Sequence, residues 1–351
     1  MRKDFFGKTR DGRPSYLYTL CNRSGLEVVL CDYGATIVSI RVPDRRGNAD
    51  DIALGHASLA EYENGRLFIG GTIGRCANRI ARGEFRLNGS SFALAQNAPP
   101  NHLHGGPNGF HKQLWQAEDA TSPQDQALDL RYLSRDGEGG YPGNLTVTVR
   151  FAVSADRNDL RITFDATTDR DTILNLISHP YFNLAGESSR SILDHQLMIR
   201  AERFTPVDAT MIPTGELRAV VNSPFDFTRL TAIGARIDAN DPQLAPGNGY
   251  DHNWVLDRNP GETETPVAQL YDPASGRSLE IFTAEPGIQF YSGNSLDGSI
   301  RGKNGVPYAP RCGLCLEAQH FPDSPNHPEF PSVALKPGQR LHSVTTYRFS
   351  C

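Results

Sequence analysis

The stretch that decides the fold runs from residue 145 to residue 168. It reads Leu145-Thr-Val-Thr-Val-Arg-Phe-Ala-Val153, then a polar turn at Ala155–Asp159, then Leu160-Arg-Ile-Thr-Phe-Asp-Ala-Thr-Thr168. Both arms alternate apolar and polar residues and are rich in β-branched side chains, which is typical of half-buried strands. The turn between them therefore predicts a β-hairpin.

Short β-like runs bounded by turn residues recur on both sides of this hairpin, for example at Leu26–Val42, Leu128–Ser134 and Gly313–Gln319. Helical periodicity is weak, and the best candidate for a helix is Ser58–Asn64, which Gly65 ends. Because strands follow one another without helices between them, we predict an all-β fold, a large antiparallel β-sandwich. We expect residues 1–351 to form a single domain, since large all-β domains exceed the usual size.

The composition of the chain limits which classes of partner can be expected. The chain has 351 residues, is 38% hydrophobic and carries a formal net charge of −5. This charge gives no electrostatic reason to expect nucleic acid or an anionic membrane as a partner. No apolar run approaches the roughly 20 residues of a membrane span, and the first ten residues lack the apolar region of a signal peptide.

The six cysteines are scattered, and only Cys312 and Cys315 lie close together. A zinc ribbon would need a second such pair, so we interpret the cysteines as reduced thiols of a cytoplasmic protein. The individual roles of Cys312 and Cys315 stay open.

A glutamate lies in the middle of the run Gly313–Gln319, just before a loop rich in proline. A period of two places Cys315, Glu317 and Gln319 on the same face of this strand. A lone glutamate on a strand is usually solvated. A functional role for Glu317 therefore requires partners elsewhere in the chain.

The segment Asn101-His-Leu-His-Gly-Gly106 contains two histidines, His102 and His104, that share a face if the chain is extended. Histidines two apart on a strand can chelate a metal. No spacing in the sequence points to a third ligand, so we expect no metal and interpret these histidines as hydrogen-bonding groups.

A third histidine lies in Ser178-His-Pro-Tyr-Phe-Asn-Leu184, where Pro180 favours an extended conformation for His179. His179, Tyr181 and Asn183 are then predicted to share a polar face. An imidazole with a pKa near 6.5 is suited to proton transfer at neutral pH.

Three further segments combine glycine or aromatic residues with polar groups able to form several hydrogen bonds. Together with the histidines and Glu317 they offer many donors and acceptors but little net charge, which favours a neutral polyhydroxylated ligand. They are Gly70–Arg79 with Asn78 and Arg79, Gly249–Trp254 with Asp251 and Asn253, and Pro286–Asn294 with Gln289 and Tyr291.

Seven segments, in this order along the chain, resemble the signature segments of the aldose 1-epimerase (galactose mutarotase) family. The resemblance covers roughly residues 20–350. The segments are Ile73–Ile80, His102–Gly106, Gly140–Asn144, His179–Asn183, Pro224–Phe227, Gly249–Asn253 and Glu317–Pro328.

The resemblance implies an antiparallel β supersandwich that interconverts the α- and β-anomers of free aldohexoses, such as glucose and galactose, without a cofactor. Matched position by position, it implies Glu317 as the catalytic base and His179 as the acid. The sugar-binding residues that it implies are Asn78, Arg79, His104, Tyr181, Asp251 and Gln289.

Alternatives remain open at this point. They are a hexose-6-phosphate 1-epimerase, a glycosidase in which Asp251 pairs with Glu317, and a sugar-binding module of the same fold without catalysis. The preferred aldose and the choice between monomer and homodimer are also open.

Overall fold

The computed structural model of the chain describes residues 1–189, 191–257 and 264–351. Strands dominate these residues, which confirms the predicted all-β class. In chain order the strands are β1 (Arg2–Lys8), β2 (Pro14–Cys21), β3 (Glu27–Cys31), β4 (Thr36–Pro43), β5 (Ala49–Asp51), β6 (Thr72–Ile73), β7 (Arg79–Ile80), β8 (Glu84–Leu87), β9 (Ser90–Ala93), β10 (His102–Leu103), β11 (Gln116–Asp119), β12 (Asp125–Ser134), β13 (Leu145–Ser154), β14 (Asp159–Thr168), β15 (Thr172–Ile173), β16 (Ile177–Ser178), β17 (Gln196–Ile199), β18 (Arg203–Thr205), β19 (Arg218–Ala219), β20 (Thr231–Ala232), β21 (Asp251–Val255), β22 (Ala268–Tyr271), β23 (Ser278–Thr283), β24 (Gly287–Tyr291), β25 (Cys315–Gln319), β26 (Ala334–Leu335) and β27 (Leu341–Ser350).

Helices are short. The predicted helix is confirmed as α1 (Leu59–Asn64), and the main-chain N–H of Ser58 donates to Oε2 of Glu61 at its start. A second helix, α2 (Leu244–Gly247), was not predicted. No helix within the described ranges is long and apolar enough to cross a membrane. Single 3₁₀ turns lie at Ala81–Gly83, Phe110–Lys112, Glu138–Gly140, Ile233–Ala235 and Ser324–Asn326.

Among the described residues, three larger antiparallel sheets build the body of the protein, and four two-stranded sheets accompany them. The N-terminal sheet has the order β1-β2-β3-β4-β5, the large sheet β11-β12-β13-β14-β27-β23-β22-β17-β20, and the site sheet β19-β18-β21-β24-β25. The predicted hairpin lies in the interior of the large sheet, next to its central strand β27, and β13 pairs with β14 from Leu145↔Thr168 to Val153↔Leu160. This arrangement confirms the predicted large antiparallel β-sandwich.

The main hydrophobic core draws on all three sheets. Leu20 of the N-terminal sheet, Phe151 of the large sheet and Phe290 of the site sheet are each fully buried in it. Removing one such side chain from water contributes about 1.5–3 kcal/mol. Apolar packing of one face against the main core therefore holds the site sheet in a fixed position.

The site sheet has one apolar and one polar face, because alternate residues of a strand point to opposite sides. The register aligns Asp251 with Tyr291 and Tyr291 with Cys315, and the next row aligns Asn253 with Gln289 and Gln289 with Glu317. The apolar face, which packs into the main core, carries Trp254, Ile288, Phe290 and Leu316.

Candidate active site

The polar face of the site sheet forms the floor of a cleft of about 140 Å³ that opens to solvent. Its walls come from segments 66–68, 78–79 and 103–104 and from the chain after β16. The cleft is lined by Arg66, Leu67, Phe68, Asn78, Arg79, Leu103, His104, His179, Tyr181, Asp251, Tyr291, Ser295 and Glu317.

A larger groove of about 930 Å³ crosses the outer face of the large sheet. Two ion pairs already join charged side chains of this groove, Arg161 with Asp125 and Arg348 with Asp159. The cleft over the site sheet instead gathers buried titratable groups, which is the arrangement expected of a catalytic site.

Glu317 of β25 lies on the floor of the cleft with only 2% of its surface exposed. Unlike most glutamates on strands, Glu317 is therefore not solvated. Its Oε1 is 3.4 Å from Nε2 of His179. Burial, followed by the negative charge of Asp251, raises the pKa of Glu317 well above its usual range, and Arg79 opposes this only in part.

His179 follows β16 and is fixed through its main chain. Its N–H donates to the carbonyl of Gly71, and its own carbonyl accepts from Gly70. Burial lowers the pKa of His179 to about 4, although a hydrogen bond to its own carbonyl and the charge of Asp251 oppose this shift.

The contact between His179 and Glu317 is therefore a contact between neutral groups. Burial drives the carboxyl towards its protonated form and the imidazole towards its deprotonated form. Charge-assisted N–H···O bonds are shorter, about 2.7–2.9 Å, than the 3.4 Å found here. The pair holds one exchangeable proton at a buried position that faces the cleft.

His104 is fixed through a ring nitrogen as well as through its main chain. Its Nδ1 accepts a hydrogen bond from the main-chain N–H of Asn78 at 3.1 Å, while its own main-chain N–H donates to the carbonyl of Asn78. Nδ1 therefore has no proton, and the neutral ring carries its proton on Nε2. Burial, reinforced by His179, keeps the pKa of His104 well below its usual range, so His104 can only donate.

Side-chain ligand atoms of His104, His179 and Glu317 lie within 4.8 Å of one another. Two histidines and a carboxylate are a common metal-binding set. A metal would need the lone pair of His104 Nε2, and the N–H of Asn78 opposes the tautomer that provides it. The hydrogen bonding at this site thus disfavours a metal.

The predicted sharing of one face by His102 and His104 is wrong. His104 adopts a positive φ of 52°, which breaks the alternation of an extended strand. His102 turns into the core, where its Nδ1 is 2.7 Å from the carbonyl of Ala95 and its Nε2 is 2.7 Å from the hydroxyl of Tyr141. It is a satisfied core histidine.

Arg79, Asp251 and Gln289 form a chain of polar contacts at one side of the floor. Gln289 Nε2 donates to Asp251 Oδ1 at 2.7 Å, and Arg79 Nη2 donates to Asp251 Oδ2 at 3.4 Å. Gln289 does not line the cleft itself, but it is hydrogen-bonded to Asp251, which does. Asn78 has a positive φ of 60°, and its Oδ1 accepts from the N–H of Arg79.

Tyr181 lines the cleft, but its hydroxyl already donates to the carbonyl of Leu67 at 3.0 Å. The side chain therefore ties down the neighbouring wall and offers its ring to the cleft. Asn183, predicted to share this face, instead lies in the interior, where its Nδ2 donates to the carbonyl of Cys312. That part of the prediction is wrong.

Phe68 is the main lining residue that the sequence did not indicate. Its ring centroid lies 4.7 Å from that of His104 and 6.2 Å from that of His179. It provides a flat apolar surface beside the polar groups, as C–H faces of a sugar require. Segment 66–69 contains no motif, and the positive φ of Phe68, 57°, is invisible to periodicity.

Several buried polar atoms on the same face of the site sheet lack a protein partner. They belong to Glu317, to the two residues aligned with it on the neighbouring strands, and to Gln319, two residues further along β25. A bound group or an ordered water could satisfy each of these atoms. They are Nδ2 and Oδ1 of Asn253, Oε1 of Gln289, Oε2 of Glu317, and Nε2 and Oε1 of Gln319.

Comparison with known proteins agrees with this geometry. The profile of a family described as aldose 1-epimerase matches residues 16–348. Galactose mutarotase of Homo sapiens is 42% identical over 326 residues, which are 93% of this chain and 91% of that protein. Aldose 1-epimerase of Escherichia coli K12 is 39% identical over 342 residues, which are 97% of this chain and 96% of that protein.

Solved structures agree as well. An aldose epimerase homologue from C. elegans superposes with a TM-score of 0.87 at 31% identity, covering 96% of this chain and 99% of that one. Galactose 1-epimerase from Lactobacillus acidophilus superposes with a TM-score of 0.88 at 27% identity, covering 100% of this chain and 99% of that one.

Proposed function

The chain belongs to the aldose 1-epimerase family, and from this premise we propose that it interconverts the α- and β-anomers of free aldohexoses such as glucose and galactose. The observation that carries the proposal is the buried contact between Glu317 and His179 on the floor of the cleft. A base and an acid side by side are what the opening of a hemiacetal ring requires.

In this mechanism Glu317 is the base and His179 is the acid. The single proton of the pair first moves from Glu317 to Nε2 of His179, which gives a carboxylate and an imidazolium. The carboxylate of Glu317 then takes the proton of the C1 hydroxyl, and Nε2 of protonated His179 gives its proton to the ring oxygen. The C1–O5 bond breaks and leaves an open-chain aldehyde. Rotation about C1–C2 and return of O5 to the other face of C1, with both protons moving back, complete the exchange.

The proton balance of the pair supports these roles. Ring opening leaves Glu317 as a neutral carboxyl and His179 as a neutral imidazole, and burial favours those same two forms. The cleft therefore favours the protonation state that accompanies the open-chain intermediate. Both groups return to their starting states, so no cofactor is consumed.

His179 is a better candidate for the acid than His104. Protonation of His104 would place a second N–H at Nδ1, directly against the N–H of Asn78. We therefore assign His104 to binding, with Nε2–H donating to a sugar oxygen.

The remaining assigned residues bind the sugar or shape the cleft. Arg79 and Asn78 provide donors, and Asp251 accepts from sugar hydroxyls while Gln289 holds it in place. Tyr181 contributes its ring and fixes the wall through Leu67.

A hexose-6-phosphate fits the cleft less well. Phosphate recognition calls for unpaired cations. Arg79, inside the cleft, is paired with Asp251, so among the residues that line the cleft a phosphate would have only the guanidinium of Arg66, at the exposed rim, as an unpaired partner. A glycosidase would need a second carboxyl poised for acid or nucleophilic work. Both oxygens of Asp251 already accept hydrogen bonds from Gln289 and Arg79.

We further propose that residues 1–351 act as one domain of a cytoplasmic enzyme of hexose metabolism, as a monomer or homodimer, without nucleic acid or membrane partners. A core that runs from Tyr18 to Phe349 supports the single domain. The six free thiols support a reducing compartment.

Polarimetry tests the function. Freshly dissolved α-glucose and α-galactose should reach anomeric equilibrium faster than the spontaneous rate when the protein is added, and glucose 6-phosphate should respond much less. A rate equal to the spontaneous one would indicate a sugar-binding module without catalysis. Release of nitrophenol from a nitrophenyl glycoside would indicate a glycosidase.

A further inference from the structure

Cys315 and Glu317 lie two residues apart on β25 and contact the two ring nitrogens of His179. Oε1 of Glu317 is 3.4 Å from Nε2, and Sγ of Cys315 is 3.5 Å from Nδ1. A single strand therefore contacts both sides of the imidazole.

The contact at Nδ1 is buried and uncharged. Cys315 has no exposed surface. Burial, followed by the negative charge of Glu317, raises the pKa of the Cys315 thiol well above its usual range, so the sulfur keeps its proton. A neutral thiol is a weak acceptor, which can orient an N–H without stabilising a positive imidazolium as a carboxylate would.

We propose, building on the acid role assigned to His179 above, that Cys315 is a positioning residue whose sulfur accepts a hydrogen bond from Nδ1–H of His179. This bond keeps Nε2 as the nitrogen that exchanges a proton with the sugar. The proton on Nδ1 never leaves: Nε2 gives its proton to the ring oxygen when the ring opens and takes it back when the ring closes.

The two histidines of the cleft then hold opposite tautomers. Their rings are 5.1 Å apart, but the group at Nδ1 of His104 is a donor, the N–H of Asn78, whereas the group at Nδ1 of His179 is the sulfur of Cys315. The carbonyl of His179 itself, which also raises the pKa of this ring, is an acceptor and acts in the same sense as the sulfur. His104 is restricted to donating from Nε2, and His179 is free to exchange a proton there.

Nitrogen-15 NMR of the protein labelled at histidine tests the tautomer directly, with His179 assigned by comparison with His179→Asn. At neutral pH the wild-type ring should carry its proton on Nδ1, and Cys315→Ala should shift the population towards Nε2–H. A wild-type ring with its proton on Nε2 would overturn the proposal, whether or not the protein is an epimerase.

Three variants supply the kinetic test. Cys315→Ala should lower kcat about tenfold, the effect of losing one weak hydrogen bond in the transition state, with KM nearly unchanged. Cys315→Ser, whose hydroxyl also accepts, should restore most of the rate. Cys312→Ala removes another buried thiol three residues away and should leave kcat unchanged.

The outcomes separate this proposal from the proposed function. A wild-type protein without epimerase activity rejects the function, and the NMR result still decides the tautomer. An active wild type with Cys315→Ala as fast as Cys312→Ala rejects the positioning role. If Cys315→Ala does not fold, the wild-type spectrum and the rate of Cys315→Ser decide.

Discussion

The two faces of the site sheet are built from the same strands, but they differ in what they bury. On one face Trp254, Phe290 and Leu316 are fully buried in the main core. On the other, Asn253, Gln289 and Glu317 are equally buried, yet several of their polar atoms have no protein partner. Apolar burial stabilises the fold, whereas unsatisfied polar burial costs stability and is retained where chemistry needs it.

The largest effect should follow from Glu317→Gln on the polar face. Loss of the base should lower kcat by about 10²–10⁴-fold. The melting temperature should not fall, because the amide is similar in size and polarity to the neutral carboxyl that it replaces. Polarimetry and thermal unfolding measure the two quantities, with the exposed Glu118→Gln as control. Turnover close to wild type would remove Glu317 as the base.

The second effect concerns the two histidines. His179→Asn should lower kcat by about 10²–10³-fold with a smaller change in KM, because it removes a group that acts in proton transfer. His104→Asn should mainly raise KM, because it removes a donor to the sugar. Steady-state kinetics of the pair check the division of roles, and the reverse pattern would exchange them.

Leu316→Ala tests the apolar face one residue away from the base. The cavity should lower the free energy of unfolding by about 2–5 kcal/mol, while kcat per folded molecule should change little. Urea unfolding measures the first quantity, and the exposed Leu133→Ala serves as control. A large fall in kcat at full folding would show that the two faces are not independent.

The pH profile of kcat/KM should be bell-shaped, because the pair needs one exchangeable proton. As pH falls through about 4, the lowered pKa of His179, both groups are protonated and no base remains. As pH rises through the raised pKa of Glu317, both groups are deprotonated and no acid remains. Each limb should approach about a tenfold change per pH unit. Rates corrected for spontaneous mutarotation check this, and an acid limb at the ordinary imidazole pKa would contradict the lowered pKa of His179.

The smallest effect is expected from Gln319→Met. Both polar atoms of the Gln319 amide lack a protein partner, so replacing the amide with an apolar side chain of similar size should change the free energy of unfolding by less than about 1 kcal/mol. Gln269→Met, which removes a hydrogen bond to Ser278, is a matched control. A loss above about 2 kcal/mol for Gln319→Met would mean that ordered water satisfies the amide.

Local periodicity predicted the strands whose two faces differ. The alternation in Leu145–Thr168 gave the central hairpin, and the pattern around Glu317 gave its strand and its face. The edge strand β1 was missed because most of its residues are exposed and carry no alternating signal. Pairing register is non-local, so the alignment of Gln289 with Glu317 could not be read from either strand alone.

The resemblance supplied the site residues, and backbone conformation explains where periodicity failed. The positive φ of His104 turns its ring towards the cleft and sends His102 into the core. Phe68 lies in a segment without a motif and enters the cleft through the same kind of backbone bend. One partner of Asn183, the carbonyl of Cys312, lies 129 positions along the chain, so the interior position of Asn183 could not be foreseen from its own segment.

The contacts that assemble the cleft join residues far apart in sequence. Arg79 and Asp251 are separated by 172 positions, and His179 and Cys315 by 136. Contacts of such separation form late, after large loops have closed. In a refolding experiment, catalytic activity should therefore return after the strands have formed, so activity reports completion of the whole fold.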